Sequence, residues 1–294
     1  MIEGYLQYIA KEKRYSAHTI TAYKQDLESF AAYINERYEC TDFTKVKQQM
    51  VRSWLAELAA EQYSAKSLHR KKTSLSGFFR FLIYKGITDH NPARNVPVPK
   101  IKERLPIFID EQALQKDNNP EISDMEFPEL RDLMIFELLY ATGMRRSELI
   151  NLTDRNIDYS RKTIKVLGKR NKERLIPFGN KLLTLLKLYC EMRDSFFEDF
   201  PKDANLLLTN AGKKMYPNFV YRKINTMLDN LSTIKKKSPH VMRHTFATHM
   251  LNNGADLSAI KELLGHANLS ATQIYTHTNI KKLQEVYSKA HPKS

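Results

Sequence analysis

The sequence predicts a mainly α-helical protein with a small β component, in which a four-helix N-terminal domain precedes a larger mixed α/β domain. Three observations support this. Apolar residues recur at helical spacing through the first 88 or so residues, a basic proline-rich stretch follows, and two short strand-like segments interrupt the helical remainder. A chain of 294 residues is long enough for one small and one larger domain.

Residues 1–88 predict four amphipathic helices that form a compact bundle. Ser16 and Ser64 stand where they would cap the second and fourth helices. The fourth helix also carries a basic patch near its N-terminal end, consisting of Lys66, Arg70, Lys71 and Lys72. Such a patch fits contacts to a DNA backbone, and a solvated basic face would explain the same residues.

Residues 89–104 predict an extended, basic linker, because four prolines lie between Ile87 and Pro106 among several lysines and arginines. A positively charged linker fits a two-part clamp around DNA, and a merely solvated connector is also compatible with it. The second domain is then expected to span residues 105–294.

The second domain alternates predicted helices with a single hairpin. Helices are expected around residues 110–116, 129–140, 147–152 and 180–197, over 217–232, and from the predicted N-caps Ser238 and Asp256 onward. The segments T-I-K-V-L-G and E-R-L-I-P-F predict two strands whose connecting turn holds Lys169 and Lys172. Lys172 and the nearby Arg174 are interpreted as contacts to a DNA backbone.

The amino-acid composition restricts the classes of protein to which this chain can belong. Lysine and arginine outnumber aspartate and glutamate 47 to 33, which gives a formal net charge of +14 and favours polyanionic partners. No segment approaches the roughly 20 apolar residues of a membrane span, and the N-terminus lacks the pattern of a secretory signal. Cys40 and Cys190 are isolated, which indicates a reducing, cytoplasmic location. Because no apolar span is present, no contact with a membrane is expected.

The segment H-V-M-R-H places His240, Arg243 and His244 on one side of a predicted helix. A zinc protease would need a glutamate after the first histidine, where this chain has Val241, so no metal site is expected. His249, and one of the pair His240 and His244, are also compatible with buried histidines of the core.

Two further segments add reactive side chains. The motif Y-A-T-G-M-R-R-S-E-L places Arg145 at a sharp turn, with Glu148 one helical turn later; this glutamate either orients a basic neighbour or is an exposed surface residue. Downstream, L-L-G-H places His266 after a helix stop, and I-Y-T-H-T places Tyr275 nine positions later. Each motif alone has an ordinary explanation, and their combination in this order does not.

Taken together, the motifs resemble the active-site signature of the tyrosine site-specific recombinases (phage integrase family), and the whole chain resembles the Xer type. The six matching positions are Arg145, Lys169, His240, Arg243, His266 and Tyr275. The resemblance implies an N-terminal SAM-like domain that binds core DNA and a catalytic domain that cleaves and rejoins DNA strands, with the type IB topoisomerase-like chemistry of a phosphotyrosine intermediate.

The resemblance also implies a role for each residue. Tyr275 would be the nucleophile and would need to lose a proton with an ordinary pKa of about 10. His240 would help to accept that proton, and Lys169 would protonate the leaving 5′ hydroxyl. His266 would donate a hydrogen bond to the phosphate. Arg145 and Arg243 suit the two non-bridging oxygens, because guanidinium stays charged and binds phosphate through two parallel hydrogen bonds.

The expected partners follow from the same resemblance. They are a double-stranded DNA recombination site, further copies or a paralogous recombinase in a tetramer on two sites, and a division-linked DNA translocase (FtsK-like). The helix expected from about residue 279 to 294 would dock on a neighbouring protomer, although its own domain could also cover it. No Gly-rich phosphate loop is present, and no cofactor is expected. Resolution of chromosome dimers, integration or inversion by a mobile element, and DNA binding without catalysis remain open as functions.

Overall fold

Helices dominate the computed structural model, which describes residues 1–101, 107–115, 124–168, 173–197, 204–231, 237–265 and 277–293. The chain divides into two units, Met1–Arg104 and Leu105–Ser294. Each unit has its own apolar core, as expected when residues at helical spacing bury one face of each helix.

The first unit contains the four predicted helices, α1 (Ile2–Lys11), α2 (Ala17–Tyr38), α3 (Gln48–Ala60) and α4 (Ala65–Tyr84). Both predicted caps are confirmed: the Ser16 hydroxyl accepts from the Thr19 amide at 3.3 Å, and the Ser64 hydroxyl from the Ser67 amide at 3.2 Å. Aromatic residues fill the core between these helices.

The predicted linker is not an extended connector along its whole length. Ala93 and Val96 are buried in the core of the first unit. The Asn91 side chain donates to the Ser76 carbonyl at 3.1 Å, and the His69 ring lies 3.0 Å from the Pro99 carbonyl oxygen. Residues 91–99 therefore pack onto the helical unit despite the prolines, because Ala93 and Val96 join its core and Asn91 and Pro99 form hydrogen bonds to helix α4.

The second unit combines eight helices among its described residues with a small sheet. The helices are α5 (Glu111–Gln115), α6 (Phe127–Thr142), α7 (Arg146–Ile150), α8 (Asn180–Phe196), α9 (Pro217–Leu231), α10 (Pro239–Asn252), α11 (Leu257–Leu264) and α12 (His277–Ala290). The strands β1 (Ile157–Asp158), β2 (Thr163–Leu167) and β3 (Glu173–Pro177) form an antiparallel sheet in that order. The hairpin of β2 and β3 is confirmed, and the two-residue β1 was not predicted.

Helix α6 lies at the centre of this unit. Its residues are apolar on nearly all sides, and it packs against α8, α9 and α10. The helix must leave the core abruptly to reach the surface, and it does so at Gly143, whose φ of 58° ends the helix.

The C-terminal helix α12 packs on its own unit. Leu283, Tyr287 and Ala290 are buried, and the helix contacts α10, α11 and β3. His291 follows in a buried position, with its ring stacked 4.7 Å from that of Tyr287. The alternative that its own domain covers this helix agrees with these contacts, and docking of the helix on a neighbouring protomer stays a prediction.

Candidate active site

Arg145 is placed by the end of one helix and the start of the next. A Cβ atom on Gly143 would lie 2.5 Å from Phe246 Cδ1 and 2.8 Å from Leu264 Cδ2, so glycine is required by space as well as by its φ of 58°. Arg145 then caps α7, and its amide donates to Glu148 Oε2 at 2.7 Å. This is half of a capping box, and it fixes the backbone of the arginine.

Glu148 is a buried carboxylate shared between two arginines. It accepts from Arg145 NH1 at 2.8 Å and, through both oxygens, from Arg174 NH1 at 2.9 Å and NH2 at 2.8 Å. Burial alone would raise the pKa of Glu148, but hydrogen bonds and charge from Arg174 and Arg145 outweigh it and lower the pKa below its usual value. The interpretation of Glu148 as an orienting residue is confirmed, and the alternative of an exposed glutamate is wrong.

Arg243 extends from helix α10 into the same cluster. Its NH1 donates to the Gly143 carbonyl at 2.8 Å, and its NH2 donates to the Leu264 carbonyl at 2.6 Å. Burial, followed by the charges of Arg145 and Arg174, lowers the pKa of Arg243 to about 10. Its guanidinium is therefore a partly desolvated cation beside two others.

The end of helix α11 joins the three arginines. Three consecutive carbonyls there each accept from a different guanidinium: Leu263 from Arg174 Nε at 2.7 Å, Leu264 from Arg243 NH2 at 2.6 Å, and Gly265 from Arg145 NH2 at 3.3 Å. A helix C-terminus carries partial negative charge on such carbonyls, so cations stabilise it. We call Arg145, Arg174, Arg243 and Glu148 the arginine cluster.

The histidines of helix α10 separate into two kinds. His240 and His244 are exposed, so neither is a histidine of the core. His249 is buried and lies 3.0 Å from the Tyr140 hydroxyl and 2.8 Å from the Ile109 carbonyl, which confirms its interpretation as a core residue. His240 and Arg243 share the helix at i and i+3, and so can serve one site.

Four predicted site residues, Lys169, Lys172, His266 and Tyr275, lie outside the described residues. The described elements flank them in sequence: β2 and β3 on either side of the two lysines, and α11 and α12 on either side of the histidine and the tyrosine. Of the six predicted catalytic residues, the structure describes Arg145, His240 and Arg243, and it brings the two arginines into one cluster.

Two predicted DNA contacts are contradicted by burial. Arg174 is 4% exposed and donates to Glu148 and the Leu263 carbonyl, so it is an internal member of the arginine cluster. The strand pattern could have indicated this, since Arg174 shares a face of β3 with the buried Ile176. Lys71 is 7% exposed and is likewise turned inward. Lys66 and Arg70 are exposed, and Lys72 is partly exposed.

Lys71 belongs to a buried network that the sequence did not reveal. Asp26 on helix α2 accepts from Lys71 at 3.1 Å and from Ser74 at 3.3 Å, and it also pairs with Arg70. The Lys71 ammonium lies 5.3 Å from the centre of the Trp54 ring. The network ties α2 to α4 across the first unit.

Neither a metal-holding cluster nor a membrane-crossing helix is found among the described residues. Among the described residues, no group of three or more histidine, cysteine, aspartate or glutamate side chains is arranged to hold a metal ion. In the same part of the chain, no helix is both long and apolar enough to cross a membrane.

Comparison with known proteins agrees with the two-unit organisation. Residues 112–282 match the model of the phage integrase family, and residues 2–86 match its N-terminal SAM-like domain. The tyrosine recombinase XerC of Pelobacter propionicus is 38% identical over 295 residues, covering 100% of this chain and 95% of the relative. The XerC of Anoxybacillus flavithermus is 37% identical over 297 residues, covering 99% and 97% respectively.

Solved structures share the fold. A transposon Tn1549 integrase in complex with transposon right end DNA has a TM-score of 0.71 at 18% identity, covering 98% of this chain and 99% of that one. The XerH site-specific recombinase bound to palindromic difH has a TM-score of 0.69 at 20% identity, covering 98% and 84%. The fold and the relatives together show that this chain is a tyrosine recombinase, an enzyme that recombines DNA. The chain belongs to the phage integrase family.

Proposed function

We propose that this site-specific recombinase cuts one strand of double-stranded DNA with Tyr275, holds the broken end as a 3′-phosphotyrosine, and rejoins it to another strand. The observation that carries the proposal is the arginine cluster, in which three guanidiniums surround the single carboxylate of Glu148. This excess of positive charge in a partly buried site is suited to a phosphate, which would offset it.

Each step of the proposed cleavage has a residue of suitable chemistry. The Tyr275 oxygen attacks phosphorus and forms a P–O bond, while the bond from phosphorus to the 5′ oxygen breaks. The tyrosine proton passes towards His240, and Lys169 protonates the departing 5′ oxygen. Charge that accumulates on the non-bridging oxygens is stabilised by Arg145 and Arg243. Because the phosphotyrosine keeps the energy of the broken bond, religation requires no ATP.

DNA binding is proposed to involve both units. The net charge of +14 supplies the general attraction to a polyanion, and Lys66, Arg70 and Lys72 on helix α4 supply exposed cations at one place. Lys172 stays a proposed contact on the basis of its position in the sequence.

The chemistry can be tested with nicked suicide duplexes, in which a released short strand prevents religation. Purified protein is incubated, in chelator and without ATP, with duplexes tiled across candidate sites of its own chromosome, and covalent adducts are detected on a denaturing gel. We expect an adduct with the wild-type chain and none with Tyr275→Phe. If the protein bound the duplexes tightly but formed no adduct on any of them, the result would instead favour a protein that binds DNA without catalysis.

We further propose that the cellular role is resolution of chromosome dimers, by a tetramer on two sites that a division-linked DNA translocase activates. The full-length similarity to proteins named XerC supports this role. Mapping the bound sites on the chromosome tests it. One site near the replication terminus is expected, whereas binding at the ends of a mobile element would show an integrase of the same chemistry.

A further inference from the structure

Arg174 is the most completely buried of the three arginines in the arginine cluster of the second unit. It is 4% exposed, and its guanidinium makes three hydrogen bonds of 2.7 to 2.9 Å, two to Glu148 and one to the Leu263 carbonyl. Because Arg174 is so deeply buried, it does not contact DNA directly. Its contacts instead join parts of the chain that are distant in sequence.

Those parts carry three of the proposed catalytic groups. Through Glu148, Arg174 acts on Arg145, whose amide and NH1 both donate to the same carboxylate. Through the Leu263 carbonyl it holds the end of helix α11, three residues before His266 in sequence. Arg174 itself stands on β3, five residues after Lys169. The Arg174 side chain thus links the segments that carry or adjoin Arg145, Lys169 and His266.

The local geometry requires arginine. Glu148 is held by two parallel hydrogen bonds while Nε makes the third, and a lysine ammonium does not reproduce that planar fork. The glycine at position 265 also leaves space for the Arg174 side chain. A Cβ on Gly265 would lie 3.0 Å from Arg174 Cδ and 3.3 Å from its Nε, at a φ of 65° that already favours glycine.

We propose that Arg174 is a positioning residue of the recombinase, which fixes Arg145 and the end of helix α11 relative to each other and to strand β3. It touches no substrate in this role. The proposal rests on the proposed strand-cleavage function, because the groups that it positions are those of that reaction.

The test compares Arg174→Lys with Arg193→Lys. Arg193 is an equally buried arginine of the same unit, and its guanidinium is paired with Asp154, Asp194 and the Leu206 carbonyl instead. Both substitutions keep the charge and lose a fork of hydrogen bonds. We expect Arg174→Lys to slow single-turnover cleavage at saturating DNA by about 10- to 100-fold with DNA affinity nearly unchanged, and Arg193→Lys to lower Tm without slowing cleavage.

A second readout does not depend on activity. Hydrogen exchange of the free protein is measured in peptides that cover residues 145–150 and 257–265, where Arg174→Lys should increase exchange and Arg193→Lys should not. Arg174→Gln, which keeps a planar hydrogen-bonding group but loses the two parallel bonds to Glu148, should produce the same local pattern and serves if Arg174→Lys does not fold.

Two results would overturn the inference: cleavage by Arg174→Lys at the wild-type rate, or slow cleavage with unchanged exchange in both peptides. If the wild-type chain itself forms no adduct, the proposed cleavage fails, and the exchange data alone decide whether Arg174 positions these segments. The two failures are therefore distinguishable.

Discussion

The two units of this recombinase each contain a buried carboxylate that holds two basic side chains, and the two sites differ in their balance of charge. In the first unit Asp26 pairs with Arg70 and Lys71 and joins helices α2 and α4. In the second unit Glu148 pairs with Arg145 and Arg174, and Arg243 adds a third guanidinium to that cluster.

The two sites differ by one cation, because two basic side chains lie near one carboxylate at Asp26 and three guanidiniums lie near one carboxylate at Glu148. Burial and its two basic neighbours lower the pKa of Arg243 to about 10, which means that the fold carries an electrostatic cost there. A bound phosphate would remove that cost. At Asp26 one of the two cations, Arg70, is exposed and screened by solvent, and the other, Lys71, also lies 5.3 Å from the centre of the Trp54 ring.

The largest expected effect is on catalysis. Arg243→Gln should reduce single-turnover cleavage of a cognate nicked duplex by about 10²- to 10³-fold, because a preorganised donor to the phosphate is lost. Its Tm should change less than that of the Asp26 variant below, because a destabilised cation is removed together with the hydrogen bonds. A rate close to wild type would show that Arg243 only supports the carbonyls of Gly143 and Leu264.

The next effect is on stability and concerns the first unit. Asp26→Asn should lower the free energy of unfolding by about 3 kcal/mol, because Lys71 stays buried without its counter-charge. Urea denaturation measures this. The control is Glu57→Gln, which breaks the exposed pair with Arg37 and should lower the free energy of unfolding much less. Equal losses in the two variants would contradict a structural role for the Asp26 network.

A pH-dependent effect should be specific to the second unit. Burial lowers the pKa of His291 to about 3, so the folded state keeps the ring neutral while the unfolded state binds a proton below its ordinary pKa of 6.5. The contribution of the neutral His291 ring to the free energy of unfolding is complete above pH 6.5 and is lost as the pH falls towards 3. At pH 5 the loss should be about 2 kcal/mol.

Denaturation of His291→Asn at pH 7 and pH 5 tests this expectation, with the exposed His18→Asn as the matched control. The pH dependence should weaken in the first variant and persist in the second. An unchanged dependence in His291→Asn would assign the acid sensitivity to other groups.

The smallest effect distinguishes exposed from buried lysines on the same helix. Lys66→Gln should reduce the salt dependence of DNA binding by about one unit of the logarithmic slope, because one phosphate contact is lost. Lys71→Met should leave the slope unchanged, since Lys71 is 7% exposed. Fluorescence anisotropy at several salt concentrations measures both. A reduced slope in Lys71→Met would restore Lys71 as a DNA contact.

Sequence patterns predicted the helices well because apolar spacing and caps act locally. They failed where a long-range contact decided the outcome. Lys71 and Arg174 were interpreted as surface residues, because the carboxylates that hold them, Asp26 and Glu148, lie 45 and 26 residues away in sequence. Similarly, the prolines between Ile87 and Pro106 predicted an extended linker over residues 89–104, although Ala93 and Val96 are buried in the first core.

The candidate site was predictable in its residue types and not in its internal bonding. Motif order identified Arg145 and Arg243, but no pattern indicated that both would donate to the end of helix α11. Backbone carbonyls have no signature in a sequence, since every residue has one. For the same reason, the participation of Leu263, Leu264 and Gly265 became visible only in three dimensions.

Because Arg174 and Arg243 bind backbone carbonyls, their contacts constrain how the sequence of this segment can evolve. The side chains at 263 and 264 can exchange for other apolar residues of similar size without disturbing the hydrogen bonds that Arg174 and Arg243 make there. Gly265 lacks that freedom, because its φ of 65° and the nearby Arg174 side chain both oppose a Cβ. Lineages that diverge from this chain should therefore drift at the two leucines and keep the glycine for as long as they keep the arginine.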